Sequence, residues 1–138
     1  MLEVVVVLAV VAIAAGLVLP RLADVGALRV TAAARRLAGD VTAARDRAIL
    51  GGRPVRLVMD VYAGTWRSEP PLVEGALPPH VRVRALATND PTTRDTVVLS
   101  PAGDTLPAQI ELADDRGHAA RVVVPPGLRR VAAVEVER

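Results

Sequence analysis

Residues 30–60 read "VTAAARRLAGDVTAARDRAILGGRPVRLVMD", and the spacing of their apolar side chains changes halfway along. In the first part, apolar residues recur at steps of three and four, the spacing of one face of an α-helix: Val30, Ala34, Leu37, Val41, Ala44 and Ala48. We expect the charged residues on the other faces: Arg35, Arg36, Asp40, Arg45 and Arg47. Gly51-Gly52 then predicts that the helix ends after about Leu50 in a left-handed cap.

After Arg53 the apolar residues alternate with other residues, which is the period of a β-strand. A hairpin turn is predicted at Ala63-Gly64. Further alternating segments lie between turns rich in Gly, Pro and Asp: "HVRVRA", "TVVLS", "AQIEL", "ARVVVP" and "VAAVEVE". We therefore predict an antiparallel sheet or small sandwich of about six to eight short strands. The proline-rich segment Ser68–Pro79 is predicted to be a surface loop.

The first 22 residues, "MLEVVVVLAVVAIAAGLVLPRL", are almost entirely apolar. No charge occurs from Val4 to Pro20, a run of seventeen residues. A membrane-spanning helix needs about 20 residues, so this run is at the short limit. Pro20 predicts a kink, because proline removes one backbone hydrogen bond from a helix. We predict one long N-terminal helix with a transmembrane part followed by the amphipathic part.

Glu3 is unexpected at the start of an apolar run. A cleaved signal peptide, with a small-residue site at Ala12-Ile13-Ala14, would carry basic residues where Glu3 stands. A plain membrane anchor and a buried core helix are two further interpretations. In the anchor, Glu3 would have to reach the lipid headgroups, since a carboxylate inside a bilayer costs about 3 kcal/mol. Such carboxylates are usually paired and functional.

These patterns divide the chain into three parts and predict an α+β fold. We expect residues 1–21 to form the transmembrane part of the helix, residues 22–50 its amphipathic part, and residues 53–138 a β-rich globular head. The arginines that follow the span would place the head in the cytoplasm, if Met1 is the translated start: Arg21, Arg29, Arg35 and Arg36.

The composition excludes several kinds of chemistry. The chain has no cysteine, which removes disulfides, thiolate nucleophiles and Cys-ligated metals. His118 and Asp115 are interpreted as a hairpin turn rather than a metal or acid–base site, His80 has no partner constellation, and Ser100 has no evident base. We predict no catalytic residue, no metal, no cofactor and no enzymatic activity. An enzyme or sensor domain on an ordinary anchor is kept as an alternative of another class.

Arginines near the C-terminus suggest a second alternative. All seventeen basic residues are Arg, but the net charge is only +2. Arg129 and Arg130 follow "PPGL", and together with Arg121, Arg82 and Arg84 they can form a basic patch for a DNA backbone. The other interpretation is a solvated strand face, because the net charge does not demand a polyanion.

Three stretches resemble one protein family. "LEVVVVLAVVAIAAGLVLPRL", with its spacing from Glu3 to Pro20, resembles the N-terminal helix of type IV pilins and type II secretion pseudopilins. "AARRLAGDVTAARDRAILGGRPVRLVMDVYAGTW" resembles the helix end and first hairpin of the GspH/FimT group, the minor pseudopilins of the H type. "GHAARVVVPPGLRRV" resembles that group's closing hairpin. The family's basic leader, its Gly and the following Phe and Thr are absent, so we expect a longer precursor upstream of Met1.

The resemblance implies a pilin-like fold and a structural role: a minor pseudopilin that helps to initiate or cap the pseudopilus of a type II secretion system. Prepilin peptidase would remove the leader and methylate the new amine, and an inner-membrane platform would extract the subunit. Glu3 would pair with the N-terminal amine of a neighbouring major or minor pseudopilin. The helix would cross the bacterial inner membrane once, in contact with lipid, with the head outside the cytoplasm. The alternative is a type IV minor pilin that binds DNA during natural transformation.

Overall fold

Two helices precede eight strands in the computed structural model, which describes residues 1–23, 25–104, 106–127 and 129–136, with the backbone alone for residues 17–23 and 135. The helices are α1 (Leu2–Ala23) and α2 (Val25–Gly51). The strands are β1 (Val55–Asp60), β2 (Thr65–Glu69), β3 (Glu74–Ala76), β4 (Val81–Ala87), β5 (Thr96–Leu99), β6 (Ala108–Asp114), β7 (Ala119–Val124) and β8 (Ala132–Val136). The predicted α+β class is confirmed.

Helix α2 buries the face that its apolar spacing predicts. All six residues of the predicted stripe are at most 1% exposed: Val30, Ala34, Leu37, Val41, Ala44 and Ala48. The prediction for Arg45 is wrong, since this residue is only 7% exposed and lies on the buried face. Position 45 follows Val41 by four residues, so the helical period itself turns the Arg45 side chain inward.

The predicted end of α2 is confirmed in detail. Gly52 has a φ of 60°, in the left-handed region that glycine adopts without strain. The N–H of Arg53 donates to the carbonyl of Ala48 at 3.3 Å, and the N–H of Gly52 donates to the carbonyl of Ile49 at 3.4 Å. This pair of bonds is a Schellman cap, which satisfies carbonyls that have no partner at the end of a helix.

The strands of the described chain form two antiparallel sheets of four. The strand order is β3-β2-β1-β5 in the first sheet and β4-β6-β7-β8 in the second. Helix α2 contacts strands of both sheets, including β1 and β7, so one hydrophobic core lies between the helix and the two sheets. The predicted short antiparallel strands are therefore confirmed, in two sheets that both pack on α2.

The hairpin predicted at Ala63-Gly64 is confirmed, but the predicted loop Ser68–Pro79 is partly wrong. Ser68 and Glu69 end β2, and Glu74–Ala76 form the short edge strand β3. Ser68 is 1% exposed, and its Oγ accepts hydrogen bonds from the N–H groups of Leu72 and Val73. The prolines lie outside both strands, so their missing N–H groups remove no hydrogen bond between strands. The segment can therefore still include a strand.

The head has two ends: the near end lies beside the start of α2, and the far end lies beside its later turns. At the near end, the turn between β6 and β7 lies against Gly26, where an added Cβ would stand 2.8 Å from Oδ2 of Asp114. At the far end, Arg45 donates to the backbone carbonyls of Pro125 and Arg129, in the loop between β7 and β8. Strand β7 thus connects the start of α2 to its last turns.

Candidate functional site

The first sixteen residues form an exposed apolar surface, called here the N-terminal surface. Every one of these side chains is exposed, and ten of them are large and apolar: Met1, Leu2, Val4, Val5, Val6, Val7, Leu8, Val10, Val11 and Ile13. Glu3 lies in the first turn of α1 and is the acidic residue of that turn. A carboxylate on such a surface is costly once the surrounding side chains are covered, unless it is paired. The pairing with a neighbouring amine stays a prediction.

Two predictions concern the rest of α1. Among the described residues, no helix is both long enough and apolar enough to cross a membrane. The span predicted over residues 1–21, like the division into residues 22–50 and 53–138, stays a prediction. Pro20 lies within α1, three residues before the helix ends at Ala23, and its side chain is outside the described residues. The kink at Pro20 stays a prediction, because Asp24, between the two helices, is also outside them.

The arginines predicted on the strands form ion pairs across the second sheet. Glu111 on β6 is shared by two guanidiniums: its Oε1 lies 3.4 Å from Arg84 on β4, and its Oε2 lies 3.3 Å from Arg121 on β7. Arg82 lies 3.8 Å from Asp115. Cross-strand pairs of opposite charge stabilise a sheet modestly, so a structural use accounts for these arginines.

Arg129 and Arg130 lie outside this sheet, in the loop before β8. Arg121 stands opposite Val134 of β8. Arg129 and Arg130 precede β8 and are exposed; they belong to the loop at the far end of the head, called here the far-end loop, of which residues 125–127 and 129–130 are described. In the part of the chain that is described, neither has a carboxylate within 4.0 Å. The predicted nucleic-acid contact through Arg121, Arg129 and Arg130 stays a prediction, with Arg121 already paired.

The histidines occupy turns, as the sequence predicts for His118. Nδ1 of His118 lies 2.7 Å from Oδ2 of Asp114, while Oδ1 of Asp114 accepts the N–H groups of Arg116 and His118. Burial opposes ionisation of Asp114, but these hydrogen bonds outweigh it, so the pKa of Asp114 lies below its ordinary value. His80 lies 3.5 Å from Asp115, and its φ of 68° is unusual for a residue with a Cβ. No group of three metal-ligating side chains occurs within the described residues.

Sequence reasoning missed three polar residues that organise the head. Arg45 holds the far-end loop, and its place in the four-residue rhythm after Val41 was a signal. Asp40 accepts a 2.8 Å hydrogen bond from Nε1 of the buried Trp66, for which no local signal exists. Asn89 bonds both the N–H and the carbonyl of Val98 at 2.8 Å, and so occupies the free edge of β5.

An open groove of about 1090 Å³ runs beside the β1–β2 hairpin. Its charged lining is mixed, with three arginines and three acidic residues, beside the fully exposed Tyr62: Arg36, Arg67, Arg94, Asp60, Glu74 and Asp95. Asp60 is already used, because its Oδ1 accepts the N–H groups of Tyr62 and Ala63 in the turn. The groove therefore offers neither a single sign of charge nor a catalytic arrangement.

Comparisons with known proteins agree with this architecture. The family model described as "Type II transport protein GspH" matches residues 33–127, more than half of the chain. The minor pseudopilin EpsH from the Type 2 Secretion System of Vibrio cholerae has a similar structure, with a TM-score of 0.60 and 13% sequence identity. The match covers 76% of this chain and 97% of that chain, and it shows a shared fold. A search of the curated proteins found no significant match.

Proposed function

Because this chain belongs to the GspH family of type II transport proteins, we propose that it is a structural minor pseudopilin that helps to initiate or cap the pseudopilus. The family match begins at residue 33 and so covers most of α2 and the head up to Gly127. The N-terminal surface lies outside the matched residues, and it is the feature that the proposed role has to explain.

The N-terminal surface is the observation that carries the proposal. Ten large apolar side chains are exposed over residues 1–16, while the core of the head is complete without them. Contiguous exposed apolar surface on this scale marks a membrane or protein contact. A subunit that is first anchored in a bilayer and later joins a helical bundle has this surface covered in both states. Neither state requires a catalytic group.

Glu3 supplies the difference between those two states. In lipid an unpaired carboxylate is costly, whereas in a bundle it can pair with the N-terminal amine of an adjacent subunit. The charge therefore favours assembly and fixes the axial position of one helix beside the next. The partners in this proposal are other major and minor pseudopilins, prepilin peptidase, the inner-membrane assembly platform and lipid. The chain is placed in the inner membrane as a single-pass protein with its head outside the cytoplasm.

Replacing Glu3 tests the proposal. Glu3→Ala should remain in the membrane fraction, because the change makes the surface more apolar. It should co-purify with other pseudopilins at least about tenfold less than the wild type, the loss expected when a buried ion pair is removed from the assembly. Cross-linking in membranes and secretion by a deletion strain that expresses the variant provide the two readouts.

A matched control is Glu74→Gln, which removes an exposed carboxylate from the head. This variant should assemble and support secretion like the wild type. Normal assembly of Glu3→Ala would contradict the pairing role. Loss of Glu3→Ala from the membrane fraction would contradict the separation of anchoring from assembly.

No specific observation within the described residues favours the second candidate, a type IV minor pilin that binds DNA. Arg121 shares Glu111 with Arg84, and only Arg129 and Arg130 of the predicted patch have no described carboxylate beside them. Retardation of duplex DNA by the wild type but not by a variant lacking Arg129 and Arg130 would revive this candidate.

A further inference from the structure

The described residues of the far-end loop, 125–127 and 129–130, are held in place from two sides. Arg45 on α2 donates from Nη1 to the carbonyl of Arg129 and from Nη2 to the carbonyl of Pro125, the latter at 2.9 Å. On the other side, the N–H of Gly127 donates to the carbonyl of Gly103 at 2.8 Å. A Cβ at Gly103 would stand 3.0 Å from the backbone of Gly127, so the two segments are in close contact.

Arg45 is used for this loop rather than for an ion pair. Its side chain is 7% exposed, and within the described chain no carboxylate lies within 4.0 Å of it. Burial lowers the pKa of Arg45, an effect that the charge of Asp46 opposes. A buried cation is costly unless its donors are satisfied, and here backbone carbonyls of one surface loop satisfy them. The position of that loop is therefore fixed by a side chain of the core.

The loop presents two guanidiniums at the end of the head remote from α1. Arg129 and Arg130 are exposed, and their backbone is fixed by the contacts of Arg45. We propose that the far-end loop is a docking site for a carboxylate-rich segment of another protein chain, with Arg129 and Arg130 as the contacts and with Arg45 and Gly103 as positioning residues. A guanidinium binds a carboxylate through two parallel hydrogen bonds, and a fixed backbone reduces the entropy lost on binding.

The same features disfavour a nucleic acid as the occupant. Proteins that bind duplex DNA contact about six to ten phosphates, whereas this loop offers two cations. Of the strand arginines, Arg84 and Arg121 share the single charge of Glu111 and Arg82 pairs with Asp115, and the whole chain carries a net charge of only +2. Single strands are bound by stacking on aromatic rings, but Trp66 is buried and Tyr62 lies in the β1–β2 turn.

The site lies away from the N-terminal surface, so it does not depend on assembly through Glu3. Bundling of α1 would leave the far-end loop accessible, because β7 separates it from the end of the head that faces α1. The proposal extends beyond residue 127, where the family match ends. Failure of docking and failure of assembly are thus separate results.

Binding of a fluorescent oligoglutamate peptide to the full chain in detergent micelles tests the proposal. At low salt, the double variant Arg129→Ala/Arg130→Ala should bind about tenfold more weakly than the wild type. Arg45→Met keeps both contact arginines but releases the loop, and should bind about fivefold more weakly. Arg45→Lys should recover part of that loss, since an ammonium can still reach one carbonyl.

Gly103→Ala releases the loop from the other side and leaves Arg45 unchanged. This variant therefore tests the positioning of the loop if Arg45→Met does not fold. A φ of 70° and the 3.0 Å approach to Gly127 make the methyl group unfavourable there, and binding should weaken about threefold. Arg121→Ala is the control, with less than a twofold change expected because Arg121 is paired with Glu111. Unchanged binding in the double variant, or tighter binding of a DNA duplex than of the peptide, would overturn the proposal.

Discussion

Helices α1 and α2 follow each other in the chain, yet they differ in whether their apolar side chains are buried. All described side chains of α1, residues 2–16, are exposed, although nearly all are apolar. Helix α2 is far more polar, yet one face of it is buried against both sheets. Burial therefore follows from an apolar stripe that matches the surface beneath it, and total apolarity does not predict it.

Besides the hydrogen bonds of Arg45, three contacts attach α2 to the head, and each can be broken separately. Leu37 represents the apolar stripe, Asp40 bonds to Trp66, and Gly26 lies against the near-end turn. Residues 2–16 of α1 are exposed throughout, so matching changes there should leave the head unaffected.

The largest effect is expected from Leu37→Ala. Leu37 is fully buried in the common core, so its truncation should lower the free energy of unfolding by about 3 kcal/mol. The matched change Leu8→Ala, at a side chain that is 63% exposed, should alter it by less than about 0.5 kcal/mol. Urea unfolding in detergent, followed by the fluorescence of Trp66, measures both. Equal effects at the two positions would remove the distinction between the helices.

The next contact is the hydrogen bond between Trp66 and Asp40. Trp66→Phe removes the Nε1 donor and leaves the carboxylate of Asp40 without it, so we expect a loss of about 2 kcal/mol. Far-UV circular dichroism has to replace fluorescence, since Trp66 is the single tryptophan. Asp40→Asn retains an acceptor oxygen and should cost less than half as much. A Trp66→Phe variant as stable as the wild type would show that the indole contributes by packing alone.

The period of the sequence was sufficient to predict most of the fold. The stripe of α2, the glycine cap and the alternating strands are local patterns, and each is confirmed. The errors concern side chains whose partners are distant in sequence. Arg45 bonds to a loop eighty or more residues away, and Ser68 orders a turn that permits the strand β3. The type of a polar residue does not predict which distant residue it will bond to.

The candidate surfaces divide in the same way. Glu3 stands out in the sequence because one charge interrupts an apolar run, and no contact within the chain is needed to notice it. The arginine patch was predicted from residue type alone, which cannot tell paired Arg121 from exposed Arg129. The difference arises from the register of β6 and β7, which places Glu111 directly opposite Arg121.

A smaller effect is expected at Gly26, at the near end, and Gly39 in the middle of α2 should give the opposite result. Gly26→Ala would place a Cβ 2.8 Å from Oδ2 of Asp114 and 2.9 Å from Nδ1 of His118, so the turn must shift. We expect a loss of about 1 kcal/mol, despite the gain in helix propensity. Gly39→Ala, on the exposed face with open space around it, should gain about 0.5–1 kcal/mol. A stabilised Gly26→Ala variant would show that the turn yields easily.

The smallest expected effect is the pH dependence of the same contact. The pKa of Asp114 is lowered from its ordinary value of 3.8, because hydrogen bonds from His118 and Arg116 outweigh the burial that opposes ionisation. Its ionised form therefore contributes stability that is fully present above pH 3.8 and is lost as the pH falls through the lowered value. Asp114→Asn should unfold with a shallower decline below that pH than the wild type, in urea titrations at successive acid pH values. Asp115→Asn, which removes the next carboxylate of the turn, is the control. Identical acid limbs for the wild type and Asp114→Asn would mean that the near end of α2 is held by packing at Gly26 and not by this charge.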